Sequence, residues 1–364
     1  MTVLQLGPYP PPHGGVQTNL VAIRDHLRRN GMSAPVINLT RHRREDRDEV
    51  FYPSSAQQVL KLLWTIPADI IHVHLGGEVT TRLLAMLLAC SRIPGRRLVL
   101  TFHSGGYPSG QAGRQARARS LSGFVLRRPD LLIAVNVEIA NWFRRLGVDE
   151  RRIRIVCPYA TVAVPEAGVV PGPIREFVAA HSPLLTTVGL LEPEYDLQLQ
   201  IDAMAAITSS HPRAGLVIIG SGSLEGTLRE AISRSPSARH ILLCGDVPHH
   251  ATIHLVAHSQ VFLRTTLYDG DSVSVREALQ VGVPVIASDN GMRPEGVHLV
   301  PRSDRNALLA AINDMLGRSA ERDRSPEDPR RAPNTQPLDE ILALYRGLVP
   351  WLAEPARPPM TSVS

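Results

Sequence analysis

Short apolar runs alternate with helix-length amphipathic segments along nearly all of this 364-residue chain, and few folds accommodate such a pattern. The alternation is the sequence form of strand–helix units around a parallel sheet. In the first half, strands are expected at Val3–Leu6, Pro35–Leu39, Ile70–His74, Leu98–Phe102, Leu131–Val135 and Ile153–Val156. Helices are expected at Gly15–Arg29, Glu78–Cys90, Gln111–Arg127 and Val137–Leu146. Four prolines and two glycines between Ala163 and Pro183 read as a linker with one helical turn. A second series follows, with strands at Leu184–Val188, Leu216–Ile219, Ile241–Cys244, Val261–Leu263, Val283–Ala287 and His298–Val300. Its helices are expected at Asp196–Ser209, Leu224–Ser233, His249–Ala257, Ser272–Val281 and Arg305–Leu316.

The expected architecture is α/β, with two Rossmann-like domains facing a ligand cleft at the C-terminal ends of their strands. The first domain takes residues 1–165, the linker 166–183 and the second domain 184–317. A charged, Pro-rich stretch at 318–337 reads as a mobile loop, 338–352 as a last amphipathic helix and 353–364 as a disordered tail.

Three scattered cysteines, Cys90, Cys157 and Cys244, argue against a disulfide framework or zinc site and suit a reducing cytoplasm. The N-terminus reads as a strand rather than a secretory signal. The longest apolar run, Leu83–Cys90, falls far short of the ~20 residues of a membrane span. The expected location is therefore cytoplasmic, with any membrane contact peripheral and at the inner face. A net charge of +5, almost all from arginine, favours anionic partners such as diphosphates or acidic lipids. Aromatic content of 4% and the lack of any zinc-finger spacing argue against nucleic acid.

Three places carry candidate chemistry. In GPYPPPHGGVQTNL, Gly14 and Gly15 open a helix whose backbone N–H groups suit an anion such as pyrophosphate; a tight strand-to-helix connection is the plainer alternative. In LVLTFHSGG, His103 stands just past a strand, where open α/β sheets bind ligands, and its imidazole suits a sugar hydroxyl or proton transfer; a structural histidine capping a loop is the plainer alternative. His74 is placed nearer the cleft and His72 in the core. His249, His250, His254 and His258 lack a carboxylate or cysteine at ligand spacing and read as surface residues. In YDGDSVSVREALQVGVPVIASDNG, Asp269, Gly270, Asp271 and Ser272 form a polar loop and helix cap, and Glu277 lies within the helix. Two carboxylates at that separation suit a ligand rich in vicinal hydroxyls, while Ser272, Ser274 and the helix amides suit phosphate oxygens.

Taken together these segments resemble the GT-B retaining glycosyltransferases of family four, from about Leu4 to Leu316. GPYPPPHGG is similar to the family's Gly-Gly loop; DIIHVH and LVLTFHSGG look like its third and fourth strands. LLTTVGLL and LVIIGSGSLEGTLRE match the opening of its donor domain. Asp269 and Glu277 align with its pair of glutamates separated by seven intervening residues, Asp replacing the first; Pro158-Tyr159-Ala160 replaces the usual Asn-Gly before the linker. The resemblance implies a nucleotide-diphosphate sugar as donor, a glycan or lipid-linked acceptor, and no essential metal or cofactor. By it, Glu277 would bind the donor ribose and Asp269 with its loop the donor sugar. Gly14 and Gly15 would lie near the diphosphate, His103 at the transferred sugar, and Gly220 and Gly222 along the nucleotide.

One departure stands out. The family's Arg and Lys after the first donor-domain strand are missing from GLLEPEYDLQLQIDA, which carries Glu192, Glu194 and Asp196 instead. Arg264, with Arg276 as a second candidate, is expected to supply the missing charge at the diphosphate. The rival readings are a non-catalytic sugar-nucleotide-binding partner and a nucleotide-sugar epimerase on the same scaffold. The segment Gly113–Arg128 sets Arg114, Arg117 and Arg119 beside Leu121, Phe124, Val125 and Leu126. A solvated basic helix face accounts for this pattern, and so does contact with an anionic membrane.

Overall fold

The computed structural model describes residues 1–11, 14–40, 44–157, 170–268, 272–319 and 335–350. They form two compact units. The first gathers Met1–Tyr9, Leu20–Cys157 and the described residues of Gln336–Ser364; the second gathers Pro10–Asn19 and the described residues of Pro158–Thr335.

The first unit holds a seven-stranded parallel sheet made of β1 (Val3–Gly7), β2 (Val36–Asn38), β3 (Val50–Phe51), β4 (Ile70–Leu75), β5 (Arg97–Phe102), β6 (Leu131–Ala134) and β7 (Ile153–Ile155). Its order is β3-β2-β1-β4-β5-β6-β7, so the chain reverses direction across the sheet between β1 and β4. Both β1 and β4 are buried along their whole length, with polar Gln5, His72 and His74 included, as expected of strands covered on both faces. Phe102, Trp142, Phe143 and Tyr107 pack ring against ring in the core, with Phe102 and Trp142 centroids 5.2 Å apart. The helix Gln336–Leu348 also belongs here, burying Leu338, Ile341, Leu342 and Tyr345.

The second unit holds β8 (Leu184–Val188), β9 (Gly215–Ile219), β10 (Ile241–Gly245), β11 (Val261–Arg264), β12 (Val285–Ser288) and β13 (Val297–Val300). These are also all parallel, in the order β10-β9-β8-β11-β12-β13, and the reversal falls between β8 and β11. In open sheets of this kind, ligands bind beyond the strand C-termini at that reversal.

Five segments differ from expectation. β3 and the helix Ala56–Thr65 were not anticipated: the strand is two residues long, and the helix leaves Leu60 and Trp64 exposed, which blurs its apolar stripe. The single helix expected over Gln111–Arg127 is broken into Gln111–Gln115 and Leu121–Leu126. The second piece is restarted by Ser120, whose hydroxyl accepts from the Gly123 amide at 3.2 Å. In the stretch read as linker, Gly172–Ala180 forms a full helix. Val170 and Ile174 are buried with Leu184, Val217 and Ile219, because Val170, Ile174, Phe177 and Val178 recur at helical spacing among the prolines. The last helix runs Gln336–Leu348 rather than 338–352. Most of the expected mobile loop and all of the expected disordered tail lie outside the described residues. No described helix is long and apolar enough to cross a membrane.

Candidate active site

β11 runs into the segment that carried the acidic candidates. Asp269, Gly270 and Asp271 lie outside the described residues. Ser272 stands at the N-cap of the helix Val273–Gln280, but its hydroxyl caps no amide; it lies 3.3 Å from that of Ser274. Glu277 is buried in the body of this helix, with 7% of its side chain exposed. One of its oxygens, Oε1, lies 2.6 Å from Nε2 of His249 at the start of the helix His249–Ala257. No hydrogen bond to its other oxygen, Oε2, is found among the described residues.

This overturns the surface reading of His249. The two helices pack through Ile253, Val256 and Ala257 against Val275, Ala278 and Val281, and this apolar seam turns His249 inward onto Glu277. Burial pushes the His249 imidazole toward its neutral form. The charge and hydrogen bond of Glu277 together overcome that and raise its pKa above the usual 6.5. His250 is exposed, and His254 and His258 stack at 4.0 Å. Among the described residues no three His, Cys, Asp or Glu side chains come together as a metal site.

At the β8–β11 reversal, Arg264 is buried, with its guanidinium 4.6 Å from the Tyr195 ring centroid and Nη1 donating to the Val188 carbonyl at 2.7 Å. Two of the three acids that replace the expected basic pair have structural partners. Glu192 accepts from the Ser223 amide at 2.8 Å and from its hydroxyl, and Asp196 accepts from the Ser303 hydroxyl at 2.7 Å. The Glu192 bonds tie the loop after β8 to the loop after β9, and the Asp196 bond ties it to the turn after β13. Gly220 and Gly222 serve the same junction: a Cβ on Gly220, where φ is +140°, would fall 1.8 Å from the Gly189 carbonyl oxygen, and one on Gly222 2.6 Å from the Leu191 backbone. A further cation was missed in the sequence. Arg293 donates to the Thr266 hydroxyl at 2.6 Å and the Ser288 carbonyl at 3.1 Å, at the ends of β11 and β12. Gly15 heads the helix Gly15–Arg29, and its neighbour within the second unit is Val273: a Cβ there would meet Val273 Cγ2 at 3.6 Å, an ordinary contact.

In the first unit His103 follows β5, its amide donating to the Leu75 carbonyl at 2.7 Å. His74 does not reach outward as expected; it is buried, as is His72. Nε2 of His74 lies 2.9 Å from Gln5 Oε1, and its ring stacks with His103 at 5.8 Å. His72 bonds Thr101 at 2.7 Å on one ring nitrogen and the Tyr345 hydroxyl on the other. Burial lowers the pKa of His72 and His103 to about 3 and that of His74 well below its usual value. His103 is thus a neutral imidazole at physiological pH. Its Nε2 is buried and has no hydrogen-bond partner among the described residues.

The chain matches the model of the glycosyl transferase 4-like domain over residues 1–158, and that of the glycosyl transferases group 1 over residues 175–327. It belongs to the group 1 glycosyl transferases. This group 1 member is 27% identical over 269 residues to the 2-deoxystreptamine N-acetyl-D-glucosaminyltransferase of Streptomyces fradiae, covering 68% of this chain and 62% of that one. It is 25% identical over 214 residues to the lipopolysaccharide core biosynthesis mannosyltransferase LpsB of Rhizobium meliloti, covering 55% and 56%. The chain spans about half the length of the curated relatives it matches. Its fold is the GT-B fold, with two parallel-sheet α/β domains. Anabaena HepE, solved with UDP-glucose, superposes with a TM-score of 0.65 at 16% identity, covering 97% of this chain and 99% of that one. Sucrose-phosphate synthase of Thermosynechococcus elongatus gives 0.67 at 16%, covering 97% and 100%.

Proposed function

We propose that this chain transfers a sugar, with retention of anomeric configuration, from a nucleoside-diphosphate sugar to a glycan or lipid-linked acceptor in polysaccharide or glycolipid assembly. The observation that carries this reading is Glu277: a buried carboxylate held through one oxygen by His249, behind β11 in a group 1 chain. In this reading Oε2 accepts from the donor ribose. Asp269, Gly270, Asp271 and Ser272 hold the donor sugar and its phosphates, Gly14 and Gly15 adjoin the diphosphate, and Gly220 and Gly222 line the nucleotide. Arg264 neutralises charge as the diphosphate leaves, and His103 binds the transferred sugar as a neutral hydrogen-bonding group. The bond from the anomeric carbon to the diphosphate breaks, the acceptor oxygen attaches on the same face, and the acceptor's proton goes to the leaving phosphate. No catalytic metal is part of the scheme.

The test is a screen of nucleotide-sugar donors, with transfer and hydrolysis followed for wild type and Glu277→Gln. The variant should fold normally and lose both activities; wild-type turnover by Glu277→Gln would remove the site. A second reading, a non-catalytic sugar-nucleotide-binding partner, draws support from the acidic Glu192, Glu194 and Asp196 where the basic pair is expected. It calls for donor binding without turnover on any donor–acceptor combination.

The acceptor side has its own support. Leu121 and Phe124 are 54% and 41% exposed beside the exposed Arg114, Arg117, Arg119 and Arg128, a combination suited to an anionic bilayer at the cytoplasmic face. Reversing charge at Arg114, Arg117 and Arg119 should abolish binding to anionic liposomes; unchanged binding would discard the membrane contact.

A further inference from the structure

We infer that His249 is a positioning residue for the donor site: it engages one oxygen of Glu277 and so presents the other, in a fixed rotamer, to a hydroxyl of the nucleotide. This rests on the reading of Glu277 as the ribose-binding group. A carboxylate with 7% of its side chain exposed is costly to keep ionised without a partner. His249 is the partner observed, at 2.6 Å and itself largely shielded from water. It comes from a separate helix 28 residues earlier, so no local constraint of Glu277's own helix brings them together. Its position is also unfavourable for a cation: His249 is the first residue of a helix, where the dipole opposes positive charge. Glu277 is what offsets that cost. An Oε1 committed to His249 cannot also accept from the ligand along that bond, so Glu277 offers Oε2 as a single oriented acceptor.

The experiment is a double-mutant cycle on binding of UDP and GDP, measured by calorimetry with wild type, His249→Ala, His249→Gln, Glu277→Gln and the His249→Ala/Glu277→Gln pair. His249→Ala should weaken nucleotide binding by about tenfold, as for a lost hydrogen bond to a charged group. His249→Gln, which keeps a donor, should recover most of it. His249→Ala should cost nothing further once Glu277 is Gln. If His249→Ala binds like wild type while Glu277→Gln does not, or if the two losses add, His249 does not act through Glu277 and only this inference fails. If Glu277→Gln binds like wild type, the ribose-site reading fails with it. A readout independent of ligand is the His249 imidazole resonance, identified by its loss in His249→Gln. It should move on Glu277→Gln, and an unmoved signal overturns the contact.

Discussion

Arg264 leaves the end of β11 and stops against the Val188 carbonyl and the Tyr195 ring, at the sheet reversal where this fold binds ligands. A guanidinium held in place needs no reorganisation to meet developing negative charge, which is where electrostatic stabilisation is most effective. Arg264→Ala should therefore lower kcat by about a hundredfold or more, with Arg264→Lys falling between. Unchanged turnover and donor affinity in Arg264→Ala would rule it out as the substitute cation. The placement of Ser272 at a helix start and of Glu277 within that helix was legible in the sequence, because local spacing marks both. The contacts of His249 and Arg293 were not. Their partners, Glu277 for one and Thr266 and Ser288 for the other, are reached through tertiary packing, and no spacing rule encodes such a pairing.

At the scale of elements, the loops after β8 and β9 act as one device. Glu192 bonds Ser223, and the glycine positions let the two backbones touch. A methyl at Gly222 would sit 2.6 Å from both N and O of Leu191, neither of which is a flexible side-chain end. Gly222→Ala should therefore destabilise by about 1–3 kcal/mol, an overpacking cost, seen as a lower urea midpoint at unchanged slope. A midpoint equal to wild type would show that the junction yields freely. Longer buried strands such as β4 and β5 could be read directly from the sequence. Elements that were missed or mis-drawn are short or carry a compromised pattern. β3 has two residues; Ala56–Thr65 exposes Leu60 and Trp64; Gly172–Ala180 is a helix whose apolar stripe is interrupted by proline and glycine.

For the molecule as a whole, the titration of buried histidines gives a pH dependence with a definite sign. His72, His74 and His103 have folded-state pKa values below the ordinary 6.5, so the unfolded chain binds protons first as pH falls. Their contribution is fully present above about pH 6.5 and is lost on acidification toward their folded values, by up to ~1.4 kcal/mol per pH unit for each ring. His249 behaves oppositely: its raised value gives stability that is present below 6.5 and lost as pH rises through it. Three rings outweigh one, so urea midpoints should fall between about pH 7 and pH 5, and a flat profile would contradict the buried cluster. The same cluster shows where sequence reading ends. The sequence by itself determined two parallel α/β units and their approximate strands, because apolar runs of strand and helix length are a local record of burial. It also determined the family's motifs, which are contiguous. Only the tertiary structure decided that Tyr345, from the far end of the chain, closes onto His72, that His103 is held neutral, and that Glu277 meets His249. Hydrogen bonds and desolvation depend on which side chains meet across the fold, and that is settled by packing rather than by proximity along the chain.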